Sequence, residues 1–543
     1  MLTSRPSGVN LRSMRLAAID LGTNSVHMVI ADVTGDGHLQ VVDRVKQTVR
    51  LGRGVFLTGQ LAKPAMDLAV QSLANFRRLL EFRKVDRVRA VATSAVREAS
   101  NGPSFIARIR RRTGIEAEII PGAEEARLIF LAARHALALK NGPPCLLVDV
   151  GGGSVELVLS RGGESLWMRS LKLGVARMTE RFLTRDPPGA TQVRDMEIHL
   201  EREMGELLRD ARKHKVERAI GTSGTINTLI AMARAARGEE GGRLHGASAS
   251  AGEIARIRRK LLKSKQGERL ELPGMDAKRA DLMPAAGILA DFILKGSGAR
   301  KLVACTWALR EGVLLELAGL AHRGASGAVR RHSVNALARK FAGADPHGPQ
   351  VARLALAFFD AVAPALGLAP ESRELLEYAS LLHDIGHRID HDRHNRHSYY
   401  LITSADLLGF EPWEIEVMAL VSRGHRSQGA RLDSPEMRAL AAEKRLQVRG
   451  LAAILRVADA LDRSHFGVVK DIRVHLLPGR LAVELDCGTE PADLEFWTCQ
   501  RRTDLLSKLL GRPIALRRIR RKRPRATGFR RARSKNPQAA EAC

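Results

Sequence analysis

The stretch CLLVDVGGGSVELVLSRGG, residues 145–163, carries an apolar run ending in Asp149, a glycine-rich turn and a second apolar run. That order is the pattern of two strands joined by a tight turn. It occurs twice. In RLAAIDLGTNSVHMVIADV, residues 15–33, Asp20 takes the place of Asp149 and Gly22-Thr23-Asn24 the place of the three glycines. Each copy is followed by alternating helical and strand patterns, such as AMDLAVQSLANFRRLLEFRKV, RVRAVAT and AEIIP after the first. The expected fold class is therefore α/β, as two duplicated domains facing each other across a cleft.

The first α/β domain is expected over residues 15–136 and the second over 137–322, after a short disordered leader, 1–14. Beyond residue 328 the patterns become helix after helix, with no strand before about 472–485, so 323–510 is expected to form a third, mainly helical domain. Between Arg517 and Arg533, ten of seventeen residues are basic and none is acidic, which predicts a disordered basic tail over 511–543. Without those ten charges the rest of the chain still carries +19 of the formal +29. A balance so basic favours polyanionic partners such as polyphosphate or nucleic acid. The tail holds a single aromatic, Phe529, so it lacks stacking platforms and is expected either to solubilise or to contact polyphosphate or RNA.

An apolar fraction of 45% with 27% charged residues excludes disordered and fibrous classes. Five scattered cysteines without CxxC spacing argue against a disulfide framework and a zinc ribbon, and fit a reducing cytoplasm. No run has the length of a membrane span, so no membrane partner is expected.

Several short segments are suited to phosphate. Asp20-Leu-Gly-Thr-Asn24-Ser25, Asp149-Val-Gly151-Gly152-Gly-Ser154 and Gly221-Thr-Ser223-Gly224-Thr each bring backbone and hydroxyl donors to a turn. Glycine lets an anion approach the backbone N–H groups, and the two aspartates can hold a divalent cation. Thr93-Ser-Ala-Val-Arg97 adds a guanidinium, whose fixed fork suits a phosphate oxygen pair. Glu124 and Glu125 open a helix. One can activate water while the other merely favours the positive helix end. Neither a Walker lysine nor a serine nucleophile elbow is present, so direct attack by water is the economical mechanism.

The segments AAIDLGTNSVHMVIA, ATSAVRE, IIPGAEEARLIF, LLVDVGGGSVELVL, IGTSGTI and LREGVL resemble, in order and spacing, the exopolyphosphatase and guanosine pentaphosphate phosphohydrolase family. The resemblance implies a duplicated actin-like ATPase (ribonuclease H-like) fold and a homodimer. It implies that Glu125 is the general base, that Asp149 binds Mg²⁺ with Asp20 and Glu156 as helpers, and that Asn24, Ser25, Arg97, Gly151, Gly152, Ser154, Ser223 and Gly224 line the phosphate path. The expected reaction is removal of terminal orthophosphate from inorganic polyphosphate. Conversion of guanosine pentaphosphate to the tetraphosphate by the same residues is the alternative, and a non-catalytic polyphosphate- or nucleotide-sensing module is a third reading.

In the helical region His347, His383-Asp384 and Asp459 resemble the His, His-Asp, Asp order of HD phosphohydrolases, which implies a possible second divalent metal. His397 and His425 are spaced as additional ligands of a two-metal variant. The HDRHNRH run, with His391 and His394, is expected to be a solvated polar loop.

Overall fold

The computed structural model describes residues 14–519 apart from 34–38, 138, 140–141, 240–241, 321–325, 344, 406 and 427–433. The expected leader and most of the expected basic tail lie outside the described residues. Strands β1 (Met14–Leu21), β2 (Ser25–Val33), β3 (Leu39–Thr48), β4 (Arg87–Ala92) and β5 (Ala117–Ile119) form one sheet in the order β3-β2-β1-β4-β5. The second sheet repeats it: β6 (Cys145–Val150), β7 (Val155–Arg161), β8 (Glu164–Leu171), β9 (Arg218–Thr222), β10 (Ser248–Ser250) and β11 (Lys301–Ala304) run β10-β11-β9-β6-β7-β8. In both, the first strand pairs antiparallel with the second and parallel with the fourth. The architecture is the actin-like duplication.

The two turns that seeded the sequence reading close alike. The Gly22 N–H donates to the Ser25 carbonyl at 3.1 Å and the Gly151 N–H to the Ser154 carbonyl at 3.0 Å. Register sets Asp20 opposite His27 and Asp149 opposite Glu156. Leu16–Ile19 of β1 and Leu146–Val148 of β6 are buried, as near-continuous apolar strands covered on both faces should be.

The two lobes share a core, in which helices Gly122–Ala136 and Leu309–Leu317 bring Leu128, Ile129, Val313 and Leu314 against Leu16 and Val29 of the first sheet and Leu147 and Ile220 of the second. These helices approach backbone to backbone. A Cβ on Gly312 would stand 2.0 Å from the Leu128 carbonyl oxygen, so only glycine fits there.

Packing divides the chain into two compact units, Met1–Ala344 with Leu381–Arg423, and Asp345–Ser380 with Gly424–Cys543. The expected border at 322/323 is thus not where contacts thin out. Residues 381–423 join the first unit because Arg330 pairs with Glu414 at 2.8 Å, the Arg243 guanidinium donates to the Leu407 carbonyl at 2.7 Å, and the Gly409 N–H reaches the Ala136 carbonyl at 2.8 Å. Within the second unit, helices His347–Val362 and Ala442–Ala460 accompany a small sheet of β12 (Asp471–Leu477), β13 (Arg480–Asp486) and β14 (Ile514–Ile519). β14 corrects the expected tail boundary. Residues assigned to disorder from 511 pair in parallel with β13, Ile514 against Leu481, and Arg517 bonds Glu484. The acidic neighbour and the ladder offset a basic composition that by itself predicts no strand. No helix among the described residues is long and apolar enough to cross a membrane.

Candidate active site between the two lobes

A cavity of about 280 Å³ opens in the first unit, where the ends of β1, β4, β6 and β9 meet. Its walls include the acids Asp20, Glu125 and Asp149 together with Asn24, Ser25, Gly151, Gly152, Ser154, Ser223 and Gly224. The three turns and the three carboxylates, far apart in the chain, therefore face one space. The strand ends explain why. Asp20 and Asp149 each sit one or two residues before a turn, where a parallel strand has run out and backbone N–H groups become available.

Thr23 of the first turn packs directly on Gly152 of the second, where a Cβ would come within 2.8 Å of the threonine. Arg177 fastens the same seam: it donates to the Gly153 carbonyl at 2.9 Å and to Glu98 at 2.6 Å, with its guanidinium 4.0 Å over the Phe56 ring. Ser223, which opens helix Ser223–Ala236, holds φ at +85°, a costly conformation for a residue other than glycine. Such strain concentrates at functional turns.

Of the glutamate pair, Glu124 is turned to Arg127 at 2.7 Å and Arg89 at 3.7 Å, and the hydrogen bond from Arg127 holds its carboxyl below the usual range. Glu125 points inward. It is buried, accepts from Arg97 at 3.1 Å, and burial pushes its pKa up to about 7 against the opposing pull of Arg97. A carboxylate poised there is suited to take a proton at neutral pH.

Arg97 does not line the cavity. It is anchored by the Ile120 carbonyl at 2.8 Å and acts on Glu125 from behind. Glu156 is also absent from the lining: it accepts from Ser170 at 2.8 Å, and burial, reinforced by Glu125 and Asp149, pushes its pKa well up.

Burial also raises Asp149, which the Thr222 hydroxyl offsets by donating at 2.7 Å. Asp20 is pushed up to about 6, chiefly by burial, with Arg310 at 3.6 Å opposing. Its Oδ1 is buried without a hydrogen-bond partner. An orphaned carboxylate oxygen in a cavity shared with a second, half-buried aspartate is a donor set fitted to a hard divalent cation such as Mg²⁺.

Sequence reasoning passed over the basic residues that line the same cavity. Lys46, Arg279 and Arg310 line the cavity with His27. Burial, with Arg279 and Arg310 nearby, lowers Lys46 to about 8, and burial beside Arg310 and Lys46 lowers His27 to about 2. Arg310 stands within the LREGVL segment, but for Lys46 and Arg279 the signal was weak, because 88 lysines and arginines give no reason to single them out.

In the first unit, His383 Nε2 stands 3.6 Å from Asp384. In the second, His347 reaches Asp459 at 3.5 Å and Asp462 at 2.8 Å. His397 faces Asp390 at 3.9 Å, and the carbonyl of His425 accepts from Arg502 at 3.2 Å. The solvated-loop reading of HDRHNRH is corrected at His394, which is buried and begins the helix His394–Ser404.

Two facing α/β lobes with glycine turns and buried carboxylates around one cavity define a protein that handles phosphate. The chain belongs to the Ppx/GppA phosphatase family, matching it over residues 29–321 and its domain III over 329–487. Among solved structures it is similar to an exopolyphosphatase from Cytophaga hutchinsonii, at 33% identity over 56% of this chain and 98% of that one, with a TM-score of 0.53. An exopolyphosphatase-like protein matches at 31% identity over 56% and 98%, with a TM-score of 0.52.

Proposed function

We propose that the chain is an exopolyphosphatase that removes terminal orthophosphate from inorganic polyphosphate. The observation that carries this reading is that Glu125, Asp20 and Asp149 share one cavity with three phosphate-suited turns and a basic wall. The Gly151 to Ser154 turn and the Ser223 turn at a helix start offer N–H and hydroxyl donors to the terminal phosphate. Glu125 takes the proton from water, the water oxygen bonds to phosphorus, and the bridging P–O bond breaks with its electron pair leaving on the shortened chain. Asp149 and Asp20 would hold Mg²⁺, which supplies neutralisation of charge on the phosphoryl oxygens.

Polyphosphate is favoured over guanosine pentaphosphate by the lining. Lys46, Arg279 and Arg310 suit a repeating anion, whereas among the described residues no Phe, Tyr or Trp lines the cavity to stack on a guanine. The test is orthophosphate release from long-chain polyphosphate and from guanosine pentaphosphate, each with and without Mg²⁺. Mg²⁺-dependent release from polyphosphate is expected. Release from the nucleotide alone overturns the substrate, and release from neither favours the sensing module.

A cytoplasmic setting is part of the same reading, since Cys145, Cys305, Cys487 and Cys499 are unpaired and buried. The homodimer, the second divalent metal of the HD-like pattern, and contact of the basic segment with polyphosphate or RNA rest on the sequence alone.

A further inference from the structure

The geometry points to a transition-metal site outside the cleft, built by Asp384, His387 and His394. Their ligand atoms lie within 4.8 Å of one another. The short turn Ile385–Arg388 places His387 Nε2 3.3 Å from one oxygen of Asp384, and the start of the helix His394–Ser404 places His394 Nε2 3.1 Å from the other. Gly386 permits this approach. A Cβ there would stand 2.1 Å from the His394 carbonyl oxygen, so any side chain would push the helix start, and His394 with it, away from the turn.

The donors are oriented for a cation. His394 Nδ1 is 2.8 Å from the His391 carbonyl, which can only accept, so Nδ1 carries the hydrogen and Nε2 is the atom turned to a carboxylate oxygen. The His387 and His394 rings stack with centroids 3.6 Å apart, and both present Nε2 to the same carboxylate. One metal ion shared by the two nitrogens and the carboxylate satisfies all three groups. The Nδ1–H bond to a backbone carbonyl is the support that metal-bound histidines usually have. Two imidazoles favour Zn²⁺, Co²⁺ or Mn²⁺ over Mg²⁺, and three protein ligands leave a position open for water or an anion.

The test is calorimetric titration of the metal-free full-length chain with Zn²⁺ in excess Mg²⁺, with Co²⁺ absorption as a second readout. One equivalent should bind. His387→Gln and His394→Gln should each weaken it at least tenfold and alter the Co²⁺ spectrum, while His347→Gln leaves both within a few-fold. His387 is partly exposed, so its variant serves even if the buried His394 variant fails to fold. Unchanged Zn²⁺ affinity and Co²⁺ spectrum in His387→Gln, or loss of the equivalent in His347→Gln alone, overturns the assignment.

Discussion

The two lobes start from one plan and treat their carboxylates differently. Asp20 and Asp149 each end the first strand of a hairpin whose turn closes through the same hydrogen bond, at 3.1 and 3.0 Å. The neighbours then diverge. In the first lobe Asp20 faces His27 across the hairpin and Val91 on the parallel strand, leaving one oxygen without a partner. In the second, Asp149 faces Glu156 and Thr222, and the threonine hydroxyl donates to it. The turns diverge too, since Thr23-Asn24 carry side chains where Gly152-Gly153 carry none. Duplication supplied two turns of the same closure. Asymmetry made one a side-chain donor and the other an open backbone surface on which the first could close.

The largest effect tests the group that belongs to neither turn. Glu125 rises from the helix packed between the two sheets, and Glu125→Gln should lower turnover on polyphosphate by roughly 10²- to 10⁴-fold with binding largely retained. Turnover within a few-fold of wild type would falsify its role as base. Next comes the seam. Gly152→Ala sets a methyl 2.8 Å from Thr23, whereas at Gly22 the added Cβ meets nothing nearer than 3.2 Å. Misplacing the turns by about an ångström can cost up to roughly 100-fold. Gly152→Ala should therefore lose far more activity than Gly22→Ala, and equal losses would remove the argument that the lobes close through this glycine.

How much of this was legible follows from what fixes each residue. Asp20 and Asp149 were visible because an acid at the end of an apolar run, before glycine, is a local pattern that repeats. Glu125 could be narrowed only to a pair, since which of two adjacent helical residues faces the cavity depends on where Arg127 and Arg97 lie. Arg279 was hidden for a different reason. It reaches the cavity because Gly224, fifty-five residues earlier, leaves room beside it: a Cβ there would touch the guanidinium at 2.2 Å. His394 looked solvated because its neighbours are polar, but it is buried where Gly386 lets the helix start come close.

The carboxylates should also be visible in stability. Asp20 and Glu125 have folded pKa values of about 6 and about 7, above the ordinary 3.8 and 4.5, so the folded state keeps protons that the unfolded chain has released. Stability contributed by that difference is present at low pH and is lost as pH rises from about 4 to about 7. Glu125→Gln removes one of the two groups. In Mg²⁺-free buffer the variant should gain on wild type between pH 5 and pH 8, by on the order of 2 kcal/mol in urea unfolding. Parallel pH profiles for the two proteins would mean that Glu125 is not held in its protonated form by the fold.

The smallest effect is the most specific to the comparison, because Thr222→Val gives the second lobe the residue that the first already has at that register. The Thr222 hydroxyl favours the charged form of Asp149, so its removal should raise that carboxyl's pKa and leave more of it protonated on the acid side. A hydrogen bond to a charged group contributes about 1.5–3 kcal/mol, but water or cation can replace part of it in an open cavity. We expect activity at pH 6 to fall roughly three- to tenfold more than activity at pH 8. A uniform loss across pH would instead mean that the hydroxyl contacts phosphate, and that the lobes differ in how they bind substrate rather than in how they hold their acids.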